Sequence, residues 1–146
     1  MSLAGWLGVS VRAMSAQDLG KLVLRIVLGC LMLLHGLAKL RHGVAPIGAG
    51  LVAKGLPSAV AYFVYVGEVI APILVLLGWL TRPAAVVLFI NMVVAVSLAH
   101  TADLFQLGKG GGYALELQAL YGFGALAIAL LGAGRYSVSR GLGRWD

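Results

Sequence analysis

The chain is poor in charge. Of its 146 residues 11% are charged and only five are acidic, whereas an average soluble domain is charged at roughly one position in four. A fold this short leaves much of its surface facing its solvent. With 61% apolar residues and a mean hydropathy of +0.99, that solvent is expected to be lipid. Cysteine is almost absent: Cys30 stands alone, which excludes an intramolecular disulfide and a Cys-x-x-Cys dithiol relay. The 11 Lys and Arg form no run, which argues against nucleic-acid binding in spite of a net charge of +6. That excess suits orientation against anionic lipid and the cytoplasm. There is no repeat of solenoid length and no covalent haem or flavin motif. The run Gly108, Lys109, Gly110, Gly111, Gly112 lacks the strand-loop-helix context of a phosphate loop. No small-residue cleavage site follows the first apolar block, which ends in Lys39, Leu40 and Arg41, so the block reads as a retained anchor rather than a signal peptide.

What is present is apolar sequence in lengths that match a bilayer. A spanning helix takes about 20 residues, and four such stretches are predicted, over about 22–40, 59–80, 84–100 and 113–131. The expected fold is therefore all-α: an integral membrane four-helix bundle in up-down order. Residues 1–18, with Trp6 and Arg12, suit an interfacial segment. Residues 19–138 form the four-span domain, and residues 139–146 a polar tail. Lys21 and Arg25 at the start of the first span are expected to snorkel toward headgroups. A polar connection with Arg41, His42, Pro46, Lys54 and Pro57 follows, and Thr81, Arg82 and Pro83 mark a tight turn. Gly67 with Ala71, Ala95 with Ala99, and Ala125 with Ala129 are spaced for close helix packing. Arg12, Lys21, Arg25, Arg82, Arg135, Arg140 and Arg144 fall at one end of the spans and Lys39, Arg41, Lys54 and Lys109 at the other. The bias places both termini in the cytoplasm of a bacterial inner membrane.

An ionisable group at membrane depth is costly unless paired or hydrated, and so marks a functional site. His35, Lys39, Glu68, Asn91, His100 and Glu116 are such groups, and all four predicted spans contribute. At about 1.5 Å of rise per residue they concentrate in the outer half of the bundle. Lys39 also suits a snorkelling end residue, His100 an interfacial cap, Glu116 a first-turn acid favoured by the helix dipole, and Asn91 interhelical glue. Glu68 has neither water nor a helix end at its depth, so it must be protonated, paired or facing a cavity. His35, Glu68, His100 and Glu116 are all metal-ligand types, but neither glutamate begins the Glu-x-x-His pair of a di-iron bundle, and no metal is expected.

The motifs also resemble those of the DoxX family of small four-helix membrane proteins. Leu24, Arg25, Gly29, His35, Gly36 and Lys39 are similar to its opening pattern, Gly55, Leu56 and Pro57 to its linker, and Gly67 with Glu68 to its second span. Gly78, Leu80, Thr81 and Arg82, then Asn91 and Met92, resemble its central turn and third span. Gly111, Gly112, Tyr113 and Glu116 resemble the entry to its last helix, and Gly134, Arg135, Tyr136 and Ser137 its closing motif. Ala133, Ser139 and Pro83 depart from the pattern at helix ends only. The resemblance implies a quinone- or redox-linked subunit or accessory of a membrane oxidoreductase of the thiosulfate- or thiol:quinone type, linked to oxidative stress.

On this reading these groups line a polar pocket in the outer half of the bundle, which binds a quinone. Glu68, Glu116 and His35 are the candidate catalytic groups, and His35, Lys39, Asn91 and Tyr113 the candidate cofactor-binding groups. The expected partners are the bilayer and an oxidoreductase subunit or a second copy. The alternatives are a small proton-coupled transporter or channel using a buried carboxylate, and a non-catalytic assembly factor.

Overall fold

A computed structural model describes residues 15–146. Fourteen of the 18 residues of the expected interfacial segment, Trp6 and Arg12 among them, therefore lie outside the described residues. The described chain is helical, with no strand and one isolated antiparallel bridge, Leu107 with Tyr113.

Helix α1, Ala16–His42, starts where Ser15 accepts a hydrogen bond from the Asp18 amide, an N-cap that satisfies one of the free donors of the first turn. Its buried stripe is Arg25, Leu28, Gly29, Met32 and Gly36, spaced to fall on one helix face. Gly43, at φ 80°, ends it. The connection that follows is not merely polar loop. It holds a second helix, α2, Ala45–Ala53, with Pro46 in its first turn, where a proline's missing N–H is not needed.

The second apolar stretch, Ser58–Leu77, is helical throughout but not uniformly α. A 3-10 segment, Ser58–Phe63, gives way to a π-helical turn, Val66–Ile70, and then to α3, Ala71–Leu77. The Ala71 amide bonds the Val66 carbonyl five residues back, and Pro72 has no amide to return to Glu68, so one extra residue is accommodated at Glu68 itself. Gly78, at φ 70°, turns the chain into α4, Thr81–Ala99. Helix α5, Glu116–Leu131, has 16 residues, so Tyr113 precedes it in the glycine-rich link. There Gly108 bonds Gly112 and Ala114 bonds Gln106 in a tight hairpin-like loop.

Residue registers run in opposite directions along the packed pairs. Gly36 meets Glu68 while Gly29 meets Pro72 and Leu76, and Gly122 meets Met92 and Phe89 while Arg82 reaches Ala129 and Leu130. The main core gathers Leu28, Met32, Val75, Ala85, Leu88, Met92, Ala125 and Ile128 from α1, α3, α4 and α5. A smaller cluster, Val44, Leu51 and Ala61, packs α2 onto the 3-10 segment. The opposite faces stay apolar yet uncovered: Leu120 and Leu130 are 71% and 70% exposed. Among the described residues three helices, Ala16–His42, Ser58–Leu77 and Thr81–Ala99, are long and apolar enough to cross a membrane.

One sequence expectation is overturned. Arg25 does not snorkel; it is 1% exposed. Its guanidinium donates to the carbonyls of Val75 (2.8 Å), Leu76 (2.8 Å), Ala133 (2.6 Å) and Tyr136 (2.9 Å). The first two belong to the last turn of α3, where the Val75 carbonyl also accepts from the Gly78 amide at 3.2 Å and no further turn follows to use the Leu76 carbonyl, and a cation there also complements the helix dipole. Arg82 does the same for α5, donating to Ala129 (2.9 Å) and Leu130 (3.0 Å).

Candidate functional site

The centre of the site is an ion pair. Lys39, near the end of α1, donates to Glu68 Oε2 in the π turn. Asn91, midway along α4, approaches the other carboxylate oxygen with its Nδ2 at 3.5 Å. Three elements thus converge on one carboxylate, whose residue is 6% exposed. The convergence depends on two glycines. Gly36 lies against the Glu68 backbone carbonyl, where a β-carbon would collide with it, and Gly67 gives Asn91 the same room. Tyr65 donates from its hydroxyl to the Lys39 carbonyl at 3.2 Å.

The pair is half-open on one side only: the Lys39 side chain is 26% exposed and that of Glu68 7%. Beside it, between the end of α1, α2 and the 3-10 segment, lies a cleft of about 740 Å³ lined mainly by small and apolar residues, with the rings of Tyr62 and Tyr65 on one wall. Tyr65 therefore faces this cleft while its hydroxyl holds the backbone of Lys39. The carboxylate is a proton acceptor, the ammonium and amide are donors, and all are screened from bulk water on most sides.

The other candidate residues fall elsewhere. His35 is on the exposed face of α1, its ring edge-on to Tyr121 of α5 at 5.8 Å between centroids. Glu116 is exposed in the first turn of α5, its carboxylate beside Gly112, and no hydrogen bond or ion pair joins it to the Lys39–Glu68 group among the described residues. Tyr113 is exposed and donates its hydroxyl to the Leu104 carbonyl at 2.8 Å, within the link. His100 pairs with Asp103 at 3.0 Å. Among the described residues no three His, Cys, Asp or Glu side chains gather where they could hold a metal ion.

Arg25 is the residue that sequence reasoning misplaced. A signal was available: it stands four positions before Gly29 and eleven before Gly36, on the same stripe of close packing as both.

Long apolar helices with uncovered apolar faces around a buried, paired carboxylate define an integral membrane protein with a polar centre. The chain belongs to the DoxX family, whose model matches residues 20–101. That match contains Lys39, Glu68 and Asn91 and ends before α5. An uncharacterised protein of Haemophilus influenzae is 34% identical over 115 residues, 76% of this chain and 81% of that protein. No solved structure matches.

Proposed function

We propose that this DoxX protein is a quinone- or redox-linked subunit or accessory of an oxidoreductase in a bacterial inner membrane, spanning it four times in up-down order with both termini cytoplasmic. The observation that carries the reading is the Lys39–Glu68 pair, its carboxylate also approached by Asn91, with Tyr65 joining the Lys39 backbone to a neighbouring apolar cleft. The donor set fits a quinone. An ammonium and an amide suit carbonyl oxygens, a carboxylate suits the hydroxyls of the reduced form, and the cleft has apolar walls for a ring or tail.

A bound quinone supplies two-electron, two-proton capacity. In this reading Glu68 holds or accepts a proton at its carboxylate, and Lys39 compensates the charge left when that proton departs. Asn91 fixes the carboxylate's orientation, and Tyr65 with the π turn positions Lys39 and Glu68 against each other. His35, Glu116 and Tyr113 belong to the site only if ligand binding draws their elements inward.

The test is mass spectrometry of protein gently extracted from its native membrane, scoring copurifying polypeptides and bound quinone. Retained quinone or a stoichiometric oxidoreductase partner, lost in Glu68→Gln, supports the reading. If Glu68→Gln and His35→Ala both leave binding and redox activity unchanged, the site assignment fails. Recovery without quinone or partner, together with proton-coupled uptake in sealed vesicles that Glu68→Gln abolishes, replaces the redox reading with a transporter. The engagement of Glu68 by Lys39 weighs against that outcome, because a cationic solute would have to displace an internal cation already in place.

A further inference from the structure

The end of the molecule opposite the Lys39–Glu68 pair carries a second cleft, of about 570 Å³, where α1 and α4 begin and α5 ends. Lys21, Arg82, Arg135 and Arg140 line it, against two carboxylates, Asp18 and Asp146. Both acids are turned to internal work. Asp18 accepts from the Arg135 amide at 3.2 Å and from the Ser15 hydroxyl at 2.7 Å, and Asp146 accepts from the Thr81 amide at 3.2 Å. Arg82 is likewise engaged, on the carbonyls that end α5. Lys21 and Arg140 differ. Neither the Lys21 ammonium nor the Arg140 guanidinium donates a hydrogen bond to any described residue, although both face the cleft and the Lys21 stem lies against Gly134. Leu131 and Leu142 form apolar walls, and Leu142 is 86% exposed.

We infer that this cleft binds a phosphate-bearing anion, held by Lys21 and Arg140. Guanidinium and ammonium groups are the ordinary ligands of phosphate oxygens, Arg as a fork and Lys as a point charge. Basic pockets between membrane helices on the cytoplasmic side are suited to anionic lipid headgroups. A headgroup phosphate and a free phosphate offer the same oxygens, and the leucines at the rim are placed for the acyl chains of the former. The inference is independent of the redox reading, since it rests on residues at the other end of the bundle.

The full-length protein in detergent, stripped of lipid, is titrated with phosphatidylglycerol, phosphatidylcholine and inorganic phosphate, and binding is read by native mass spectrometry and thermal shift. Phosphatidylglycerol is expected to bind saturably and phosphatidylcholine much more weakly. The variant Lys21→Gln/Arg140→Gln is expected to weaken phosphatidylglycerol binding about tenfold. Arg41→Gln/Lys109→Gln, which removes the same charge at the opposite end, is expected to leave it unchanged. Lys21→Arg, which keeps a cation at the cleft, should bind like the parent and guards against a folding defect. If inorganic phosphate competes with the lipid, a free phosphoryl group suffices as ligand; if it does not, the headgroup with its chains is the ligand. Equal binding of both lipids, or equal losses in the two double variants, overturns the inference, as does failure of the parent protein to bind lipid or phosphate.

Discussion

The guanidinium of Arg25 donates to the carbonyl of Ala133 at 2.6 Å, across 108 positions of sequence. With its bonds to Val75, Leu76 and Tyr136, it joins the first helix, the end of α3 and the segment after α5 at one buried point. A charge in such a place is tolerable because all three guanidinium nitrogens donate to carbonyls, through four hydrogen bonds. Arg25→Met should destabilise the protein by about 3 kcal/mol, since hydrogen bonds from a charged donor are among the stronger ones and four are lost, although the Val75 carbonyl keeps the Gly78 amide. Arg25→Lys should fall between, because an ammonium cannot span the same fork. Thermal unfolding in detergent, followed by circular dichroism, measures both; a loss indistinguishable from zero in Arg25→Met contradicts the buried clamp.

The Lys39–Glu68 pair makes a different prediction, about coupling. Lys39→Met alone leaves a buried carboxylate and should cost about 3 kcal/mol, whereas Glu68→Leu alone leaves a partly exposed ammonium that water can reach and should cost less. The double variant leaves no charge and should recover much of that loss. A double-mutant cycle in the same unfolding assay gives the interaction energy directly. Strictly additive losses would show that the two groups are not paired in the folded protein.

Two glycines of α1 should respond oppositely to the same change. A β-carbon at Gly36 meets the backbone of Glu68, which cannot swing aside as a side chain does, whereas at Gly20 there is nothing within 4 Å. Gly36→Ala is expected to lose about 2 kcal/mol by overpacking. Gly20→Ala is expected to gain up to about 1 kcal/mol from helix propensity. Melting temperatures of the two variants, compared side by side, decide it.

Helix α4 begins without a capping side chain of its own. The Asp146 carboxylate takes that role from a distance, accepting from the Thr81 amide at 3.2 Å and approaching its hydroxyl at 3.5 Å. Asp146→Ala should cost about 1 kcal/mol, the worth of an N-cap, and Asp146→Asn clearly less, since an amide oxygen still accepts. Equal melting temperatures for all three proteins would remove the cap.

Much of this site could be read from sequence because depth in a membrane is itself information. Glu68 stood out since no bland environment exists for a carboxylate in mid-span, whereas depth alone did not single out Lys39 from His35 as its partner. Which face each residue occupies was harder to read. His35 and Lys39 are four apart, about 40° around a helix, close enough to share a face by spacing. Yet the long stem of Lys39 reaches across to the π turn while the short imidazole stays against Tyr121. Glu116 and Tyr113 depend on how a glycine-rich link folds, which periodicity does not report. Helix α2 is nine nearly uniform apolar residues, too few and too even to show an amphipathic period. Arg25 was misread because an arginine one turn inside a span looks the same whether it reaches outward to headgroups or inward to carbonyls.

The two arginine clamps also order events in time. The acceptors of Arg25 in residues 133–136, those of Arg82 in α5, and the Asp146 carboxylate that meets Thr81 all come late in the chain. When α1 and α4 first enter the bilayer from the ribosome, the groups that will lock their starting ends have not yet been made. Both guanidiniums then still lack those late acceptors and can serve as topogenic cations that bias the side those ends take, and only afterwards are engaged by the carbonyls. One side chain can thus act first as an insertion signal and later as mortar.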